Sequence, residues 1–410
     1  MRYALLLAGL VACADPPPYE FDDAREPCPA LGAVCDATPG AAPAVGAPTI
    51  VSPSTALPPG VTSQTSNNNL DIVWYRGRLF YAFRTGPSHF ASRDVVMYVM
   101  STADHVTWTH EATFDMNRDL REPRFLVAGD RLFFYFAVLG DYAGTFEPLE
   151  ARVSELLAPG EWSASQVVFE PGFIPWRAKT FAGKPMVIGY VGGENIYETD
   201  GEPVRVSWWT TEGDDGRAVV PMVPGKPIVL EGGSSETDLV ALPGGGLFAV
   251  SRNELGDDLG WGSKLCRAEA GDLGNWRCVG DPRKYDSPIV FEHGADIYMI
   301  ARRQVTADGH YDLMLRNLPP AEQTTQYNVN YWITPKRCAL WKLDPVALSA
   351  AHVLDLPSSG DTCFPGVVPL GAGRYLVYNY TSPLEGDLDR PWMKAQFEPT
   401  QIHYLTLTIP

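Results

Sequence analysis

Three arginines share one position in the sequence pattern. Arg84, Arg252 and Arg302 each end an alternating run of aromatic and β-branched residues. Such runs are typical of β-strands, so the sequence predicts that the three side chains lie at equivalent strand ends. Three guanidinium groups that converge would form a cationic site, because arginine binds carboxylates through paired hydrogen bonds. The alternative is that each arginine pairs with an acidic side chain of a neighbouring unit.

The runs that end in these arginines belong to a hairpin repeat. Each copy has a few apolar residues, a tight turn with glycine, and a second, alternating strand. The six turn glycines are Gly77, Gly129, Gly183, Gly245, Gly294 and Gly373. Two further strands follow most hairpins, so the sequence predicts an all-β fold, a six-bladed β-propeller of four-stranded antiparallel blades. The near-constant spacing of the copies disfavours the alternative, a pair of β-sandwich domains.

Two segments depart from the repeat. Residues 307–336 are predicted to be an insertion in the fifth blade, because the gap before the sixth hairpin is the longest. The last unit is one strand short, and residues 48–53 are predicted to supply that strand and close the ring. In such a ring the first strands of all blades meet at one mouth of a central channel, so residues far apart in sequence converge.

Composition and missing motifs exclude several classes of function. The chain of 410 residues carries a formal net charge of −17, which argues against a nucleic-acid partner. No apolar run reaches the roughly 18 residues of a membrane-spanning helix. The sequence has no phosphate-binding loop, dinucleotide fingerprint or zinc-binding motif, so no cofactor or metal is predicted. Calcium in loops rich in Asp and Asn is the open alternative, and we expect a monomer.

The N-terminus predicts export. Residues 1–12 have a short basic start and an apolar stretch, which is typical of a signal peptide. The stretch ends at Cys13 in the order Leu-Val-Ala-Cys, which resembles a bacterial lipobox; a plain secretory signal is the alternative. Cys13 is therefore the predicted lipidation site, and the lipid is the only predicted membrane contact. The predicted location is the bacterial outer membrane, facing the periplasm or the cell surface.

The number of cysteines agrees with an exported lipoprotein. The chain has seven, so six remain without Cys13, enough for three disulfides in an oxidising compartment. Local pairing predicts the bridges Cys28–Cys35, Cys266–Cys278 and Cys338–Cys363. Residues 13–60 are rich in Pro, Ala and Gly and are predicted to form a tether, with the propeller at residues 61–410.

Motifs within the repeat resemble the sialidase family. Residues 101–108 resemble a degenerate Asp-box, Ser-x-Asp-x-Gly-x-Thr-Trp, which is a structural turn of those propellers. From about Asn67 to the C-terminus the order of motifs is similar to sialidase-like six-bladed propellers of exported bacterial proteins. The segments that carry the resemblance are 83–89, 119–124, 176–177 and 356–366, with Glu236, Arg252 and Arg302 between them.

The resemblance implies roles for these residues. Arg84, Arg252 and Arg302 would hold the carboxylate of a sialic-acid-like sugar, and Glu236, sixteen residues before Arg252, would activate the nucleophile. Asp94 matches the acid/base aspartate, with His89 of the same loop as the alternative. Further expected contacts with substrate are His89, Arg121, Arg177 and Phe364, and Asp361 is a further candidate catalytic carboxylate.

Two departures from the family pattern matter for function. Phe364 stands where the family has its tyrosine nucleophile, and residues 67–70 stand where it has an Arg-Ile-Pro motif. An inverting route through two carboxylates is then the open catalytic alternative. The carboxylates available for it are Glu236, Asp361, Asp119, Glu122 and Asp94.

Three functions follow from this sequence. The first is a surface-anchored glycoside hydrolase of exo-α-sialidase type that acts on anionic glycans. The second is a non-catalytic carbohydrate-binding lipoprotein on the same scaffold. The third is a structural or protein-binding propeller, and fold alone does not choose among them.

Overall fold

The hairpin repeat folds as an all-β propeller. The computed structural model describes residues 17–196 and 203–410, in which six antiparallel sheets, each with a four-stranded blade, surround a channel. Each blade begins at the channel with its first strand, and neighbouring first strands contact one another. The predicted fold class is confirmed.

The first three blades follow the chain in order. The first two strands, β1 (Ala44–Val45) and β2 (Thr49–Ser52), belong to blade 6. Blade 1 holds β3 (Ser66–Tyr75), β4 (Arg78–Gly86), β5 (Val96–Thr102) and β6 (Trp108–Phe114). Blade 2 holds β7 (Asp119–Ala128), β8 (Arg131–Leu139), β9 (Pro148–Ala158), β10 (Glu161–Trp162) and β11 (Gln166–Val168). Blade 3 holds β12 (Ile174–Phe181), β13 (Lys184–Val191), β14 (Arg205–Glu212), β15 (Asp215–Pro221) and β16 (Ile228–Leu230).

The last three blades complete the ring. Blade 4 holds β17 (Ser234–Ala241), β18 (Leu247–Asn253), β19 (Ser263–Ala268) and β20 (Arg277–Asp281). Blade 5 holds β21 (Asp286–His293), β22 (Asp296–Gln304), β23 (Lys336–Asp344) and β24 (Ser349–Leu356). Blade 6 holds β25 (Gly366–Gly371), β26 (Arg374–Thr381), β27 (Gln401–Thr408), β1 (Ala44–Val45) and β2 (Thr49–Ser52).

The alternating aromatic strands form the core between blades. Successive residues of a strand point to opposite faces of its sheet, and each blade has a neighbour on both faces. In β4, Phe80 contacts Phe125 of blade 2 with ring centroids 6.4 Å apart, whereas Tyr81 contacts Tyr378 of blade 6 at 5.1 Å. Second strands are therefore apolar at consecutive positions and almost fully buried.

Blade 6 is closed by the N-terminal part of the chain, as predicted. Thr49 of β2 pairs with Tyr404, and Ala44 of β1 pairs with Thr408, so both strands run antiparallel to β27. A closed ring leaves few strand edges unpaired, which protects a β protein from association through its edges.

The segment before β1 packs on the propeller rather than extending as a tether. The short helical segments α1 (Pro27–Ala30) and Gly32–Cys35 place Leu31 and Val34 in the core, with 1% and 5% of their surface exposed. The backbone N–H of Asp22 donates to the carbonyl of Arg76 at the β3–β4 turn, 3.2 Å away. The segment is rich in Pro and Ala, and the few apolar side chains that anchor it form no periodic pattern, so the sequence did not predict this packing. Residues 1–12 and Cys13 lie outside the described residues.

The segment that resembles an Asp-box forms the turn between β5 and β6. Asp104 Oδ1 accepts hydrogen bonds from the backbone N–H groups of Val106 and Thr107, at 2.9 and 2.7 Å. This contact holds a hairpin turn, so the motif has a structural role.

The insertion in blade 5 is confirmed and contains a helix. It joins β22 to β23 and includes α2 (Pro320–Ile333), which packs near the short helix α3 (Trp392–Ala395). Tyr327 of α2 stacks on Trp261 with ring centroids 4.3 Å apart, and Tyr331 packs edge-on against Trp392 at 4.8 Å. None of the helices in the described ranges is long and apolar enough to cross a membrane.

Three disulfides connect the predicted pairs, Cys28–Cys35, Cys266–Cys278 and Cys338–Cys363. The second joins facing residues of β19 and β20, twelve positions apart. We expect the double variant Cys266→Ala/Cys278→Ala to be less stable by about 2–3 kcal/mol, because the disulfide closes a loop and so lowers the conformational entropy of the unfolded chain. Urea unfolding measures this difference. A midpoint equal to that of the oxidised wild type would contradict it.

Candidate functional site

One mouth of the channel is built from irregular first strands. In five blades the register of the first strand shifts near its start, which is where a β-bulge turns a side chain out of the alternating pattern. The bulge residues that line the mouth are Asn69, Glu122, Trp176, Glu236 and Ser287, and Phe364, just before β25, completes a ring of one residue per blade.

Backbone strain accompanies this ring. The φ angles of Asn69, Glu122 and Ser287 are 37°, 54° and 52°, in the left-handed region that residues with a side chain seldom adopt. Each such residue costs about 1–2 kcal/mol, and strain of this kind is concentrated at functional sites. Nine other non-glycine residues of the described ranges also have positive φ values, but Asn69, Glu122 and Ser287 are the ones that line this cavity.

The mouth encloses a cavity of about 420 Å³. That volume lies within the range of small-molecule sites, roughly 300–1,000 Å³. Its walls are largely aromatic, with Phe90, Phe146, Trp176, Tyr190, Tyr331, Trp332, Phe364, Tyr380 and Trp392. Aromatic walls suit a ligand that stacks its apolar faces while its polar groups bond to a few fixed side chains.

Glu236 is a buried carboxyl that lines the cavity. Its Oε2 accepts the backbone N–H of Ser287 at 2.5 Å, and its Oε1 lies 2.7 Å from Arg252 Nη1. Burial raises the pKa of Glu236 to about 7, against the opposing charge of Arg252. A carboxyl with such a pKa can give or take a proton at neutral pH.

Glu122 is a second buried carboxyl of the ring. Its Oε2 has no hydrogen-bond partner among the described residues, and the nearest cation, Arg124 Nη2, is 3.7 Å away. Burial raises the pKa of Glu122 as well, which favours its protonated form. The mouth therefore holds two carboxyls with raised pKa values. Residues 17–196 and 203–410 contain no group of His, Cys, Asp and Glu side chains that could hold a metal ion.

Arg252 lies against the carboxylates of its own blade. Besides Glu236, its Nε is 3.3 Å from Glu254 Oε2, and Glu254 is paired with buried Lys284 at 2.5 Å. Asp286 Oδ1 of blade 5 is also 3.8 Å from Arg252 Nη1, so Arg252 lines the cavity but its charge is shared by three acidic side chains. A ligand carboxylate would have to compete with them.

Arg302 is held from two sides at the cavity wall. Its Nη1 donates to the Tyr331 hydroxyl at 2.8 Å, and its Nε donates to the Thr362 carbonyl at 2.6 Å. The Tyr331 hydroxyl donates to Asp286 Oδ2 at 2.8 Å. The inserted helix α2 thus fixes the orientation of Arg302.

Arg84 does not join the other two arginines. It is fully buried, and its Nη2 forms an ion pair with equally buried Asp119 at 2.8 Å. The loop after β4 covers the strand end, and the carbonyls of Ser88 and Phe90 accept hydrogen bonds from the guanidinium. The predicted cluster of three is therefore corrected to two, and the alternative of pairing with a neighbouring blade holds for Arg84.

His89 and Arg121 line the cavity beside blade 6. His89 Nδ1 is 2.6 Å from Asp361 Oδ2, and the Tyr380 hydroxyl donates to Asp361 Oδ1 at 2.8 Å. Burial lowers the pKa of His89, which favours neutral imidazole. Arg121 donates from Nη2 to the His89 carbonyl at 2.8 Å. Asp361 is completely buried behind His89 and Tyr380, so it orients them and has no surface in the cavity.

Two predicted site residues lie elsewhere. Asp94 is exposed in the loop before β5 and does not line the mouth, so it is not placed as an acid/base group. Arg177 follows the bulge residue Trp176 and therefore points deeper into the channel, where its Nε donates to the Pro288 carbonyl at 2.9 Å. In both cases the loop length or bulge, which sequence alone does not fix, changed the direction of the side chain.

Sequence reasoning did not assign several residues of the mouth to the site. The sequence gives Glu122 only as one of several carboxylates for an inverting route. An alignment of the first strands of the blades would have placed Glu122 at the same bulge as Glu236. Tyr331 lies in an insertion without a repeat counterpart. Glu254 directly follows β18, and Tyr380 is the second-last residue of β26; neither has a distinguishing sequence pattern.

The comparisons with known proteins support the fold. No protein-family model and no curated protein matches the chain significantly. A protein of unknown function from Dyadobacter fermentans is 13% identical, with a TM-score of 0.59, over 84% of this chain and 95% of its own. Trypanosoma rangeli sialidase in complex with sialic acid is also 13% identical, with a TM-score of 0.54 over 83% of this chain.

A Hadza microbial sialidase is 10% identical, with a TM-score of 0.50 over 83% of this chain. The chain covers 54% of the trypanosomal sialidase and 65% of the Hadza enzyme. It is therefore a sialidase-like six-bladed propeller in fold, and it spans about half the length of the trypanosomal enzyme.

Proposed function

We propose that the chain is a glycoside hydrolase that removes a terminal sugar from exposed glycans, anchored to the cell surface through Cys13. One observation carries the proposal: Glu236 and Glu122, two buried carboxyls with raised pKa values, line one cavity of sugar size. Glycoside hydrolysis needs such a pair, one carboxyl as acid and one as base.

Phe364 decides which kind of hydrolysis is proposed. Its ring lies 5.4 Å from Trp176 and offers no nucleophilic atom at the position where the family has tyrosine. Water is then the nucleophile, which corresponds to the inverting route.

The environments of the two carboxyls assign their roles. Glu236 has Arg252 and a backbone N–H beside its oxygens, which favour the ionised form, so it is the proposed base. It takes a proton from water, whose oxygen bonds to the anomeric carbon. Glu122, whose Oε2 has no partner among the described residues, gives its proton to the leaving oxygen as the glycosidic bond breaks.

An anionic sugar is the proposed substrate class. Arg121, Arg252 and Arg302 line the cavity and can exchange protein contacts for a ligand carboxylate. The Trypanosoma rangeli sialidase, which shares the fold, has a structure in complex with sialic acid, and this supports an anionic sugar as the ligand class. Hydrolysis of aryl sialosides and aryl uronides, but not of neutral aryl hexosides, tests the class, and NMR of the first-formed anomer tests inversion.

A non-catalytic glycan-binding protein is the second candidate. It is favoured by Phe364 and by the acidic partners that already occupy Arg252. Binding to sialylated spots of a glycan array without turnover of any aryl glycoside would establish it in place of the hydrolase.

The pH dependence should report the ionisation of Glu236. Because the base must be deprotonated and its pKa is raised to about 7, we expect kcat/KM to rise as pH increases through that region. The rise should be absent in Glu236→Gln, because the residual kcat/KM of this variant depends on pH only through the other ionisable groups. A rate of the wild type that does not change between about pH 5 and 8 would contradict Glu236 as the base.

A further inference from the structure

The disulfide Cys338–Cys363 lies beside Arg302, which lines the cavity of the mouth. Cys338 of β23 faces Arg302 of β22 in the paired strands of blade 5. Cys363 belongs to residues 357–365, which join β24 to β25 and form neither helix nor strand. Both cysteines are completely buried. The bridge therefore joins the strand next to Arg302 to an irregular segment.

Residues 357–365 supply main-chain carbonyls that hold Arg302. Its Nε donates to the Thr362 carbonyl at 2.6 Å, and its Nη2 donates to the Cys363 carbonyl at 3.2 Å. The φ angle of Cys363 is 78°, in the left-handed region, and such a conformation persists only where its surroundings hold it. The direction of the guanidinium thus depends on the backbone path at these two residues.

The hydrogen bonds that flank these two carbonyls connect the segment to blade 6. Thr362 Oγ1 donates to the Tyr380 carbonyl at 2.8 Å, and the Phe364 N–H donates to Asn379 Oδ1 at 3.0 Å. Arg302 belongs to blade 5, as does one cysteine of the bridge. The disulfide is therefore a covalent link that sets the position of the segment relative to blade 5, and so relative to Arg302.

A further support of Arg302 comes from the insertion, close to the same bridge. The Tyr331 hydroxyl accepts a hydrogen bond from Arg302 Nη1 at 2.8 Å, and the Tyr331 carbonyl accepts one from Lys336 Nζ at 2.7 Å. Lys336 begins β23, two residues before Cys338. The contacts that orient the guanidinium from either side are thus anchored next to the disulfide.

We propose that the Cys338–Cys363 disulfide is a positioning element of the ligand site, which holds Arg302 in the orientation that binds a ligand carboxylate. Strong binding of an anionic sugar then requires the oxidised bridge. An arginine that is already oriented loses less conformational entropy when it binds a carboxylate. The anionic ligand is taken from the proposed function, on which this inference rests.

Exchange of the Arg302 Nε proton with solvent, measured by NMR, tests the positioning role without a ligand. The variant is Cys338→Ala/Cys363→Ala. The matched control is Cys266→Ala/Cys278→Ala, whose cysteines do not line the cavity. We expect exchange to be about ten-fold faster in the variant and within about two-fold of the wild type in the control. Equal exchange in all three proteins would overturn the proposal.

Cys338→Val/Cys363→Ala keeps more of the buried volume and is the second variant, used should the first not fold. It is expected to show the same faster exchange, because it also lacks the bridge.

Calorimetric titration tests the consequence for binding. Sialic acid and its methyl ester are the probes, since the ester keeps the sugar but lacks the charge that Arg302 would bind. We expect Cys338→Ala/Cys363→Ala to bind sialic acid about ten-fold more weakly than the wild type, with less than about two-fold change for the ester. Equal losses for both probes would indicate a merely structural bridge and overturn the proposal.

The background Arg302→Gln separates this role from the proposed function. Because the bridge acts through Arg302, its removal from Arg302→Gln should not weaken the binding of sialic acid further, and an additional ten-fold loss, about 1.4 kcal/mol, would overturn the proposal. A wild type that binds neither probe would contradict the proposed function, whereas the exchange of the Arg302 Nε proton would still decide the role of the disulfide.

Discussion

Replacing Glu236 by glutamine is expected to lower kcat on an aryl sialoside at least about 10³-fold, while a non-hydrolysable ligand binds within about three-fold of the wild type. Glutamine keeps the shape of the side chain and can still accept the N–H of Ser287, but it cannot take a proton from water. Steady-state kinetics and calorimetric titration measure the two quantities separately.

Asp94→Asn is the matched control for this experiment. Asp94 was assigned an acid/base role by family resemblance, yet its side chain is exposed outside the mouth. We expect its kcat to stay within about two-fold of the wild type. If Asp94→Asn lost activity and Glu236→Gln kept it, the proposed pair of carboxyls would be wrong.

Replacing Arg84 by methionine is expected to destabilise the fold by about 3 kcal/mol, because it removes one of the two arginines that pair with the fully buried carboxylate of Asp119. The other arginine, Arg121, remains 2.6 Å from Asp119. In a protein of 410 residues, whose entropy of unfolding scales with its length, the Tm should fall by roughly 3–4 °C. The double variant Arg84→Met/Asp119→Leu should recover part of this loss, since it removes both fully buried charges, while Arg121 loses its carboxylate partner and keeps the hydrogen bond to the His89 carbonyl.

An exposed ion pair provides the comparison. Lys342 and Asp296 are 2.7 Å apart, with 47% and 45% of their side chains exposed, so Lys342→Met should cost less than about 1 kcal/mol. If Arg84→Met kept the Tm of the wild type but lost ligand binding, Arg84 would be a ligand-binding residue, as the sequence first suggested.

The architecture could be predicted because it depends on repetition. Period-two alternation and turn glycines define six hairpins, and the strand missing from the last blade pointed to the N-terminal segment that pairs with β27. The disulfides could be predicted from the short sequence separation of their cysteines, as for Cys266 and Cys278, which face each other on two paired strands.

The site was less predictable because it depends on irregularity. A bulge adds one residue and reverses the direction of the side chains that follow, so Glu122 enters the mouth while Arg177 lies below it. The position of Arg84 at a strand end was correct, but only the loop above it determines whether its guanidinium reaches a ligand or a carbonyl. Short buried segments such as 31–35 give no periodic pattern at all.

The path of the N-terminal segment determines how the propeller is presented. Thr381 pairs with Gln401 at the start of β27, close to Tyr380 of the mouth, whereas Thr408 at the opposite end of the strand pairs with Ala44. The chain before Ala44 runs along the hairpin turns of that opposite face, touching Arg76 and Arg374. The cavity of the mouth therefore opens on the face opposite to the one along which the described residues before Ala44 run. If the propeller is held through its N-terminal side, as proposed, that cavity faces outward, where the proposed glycan substrate would approach.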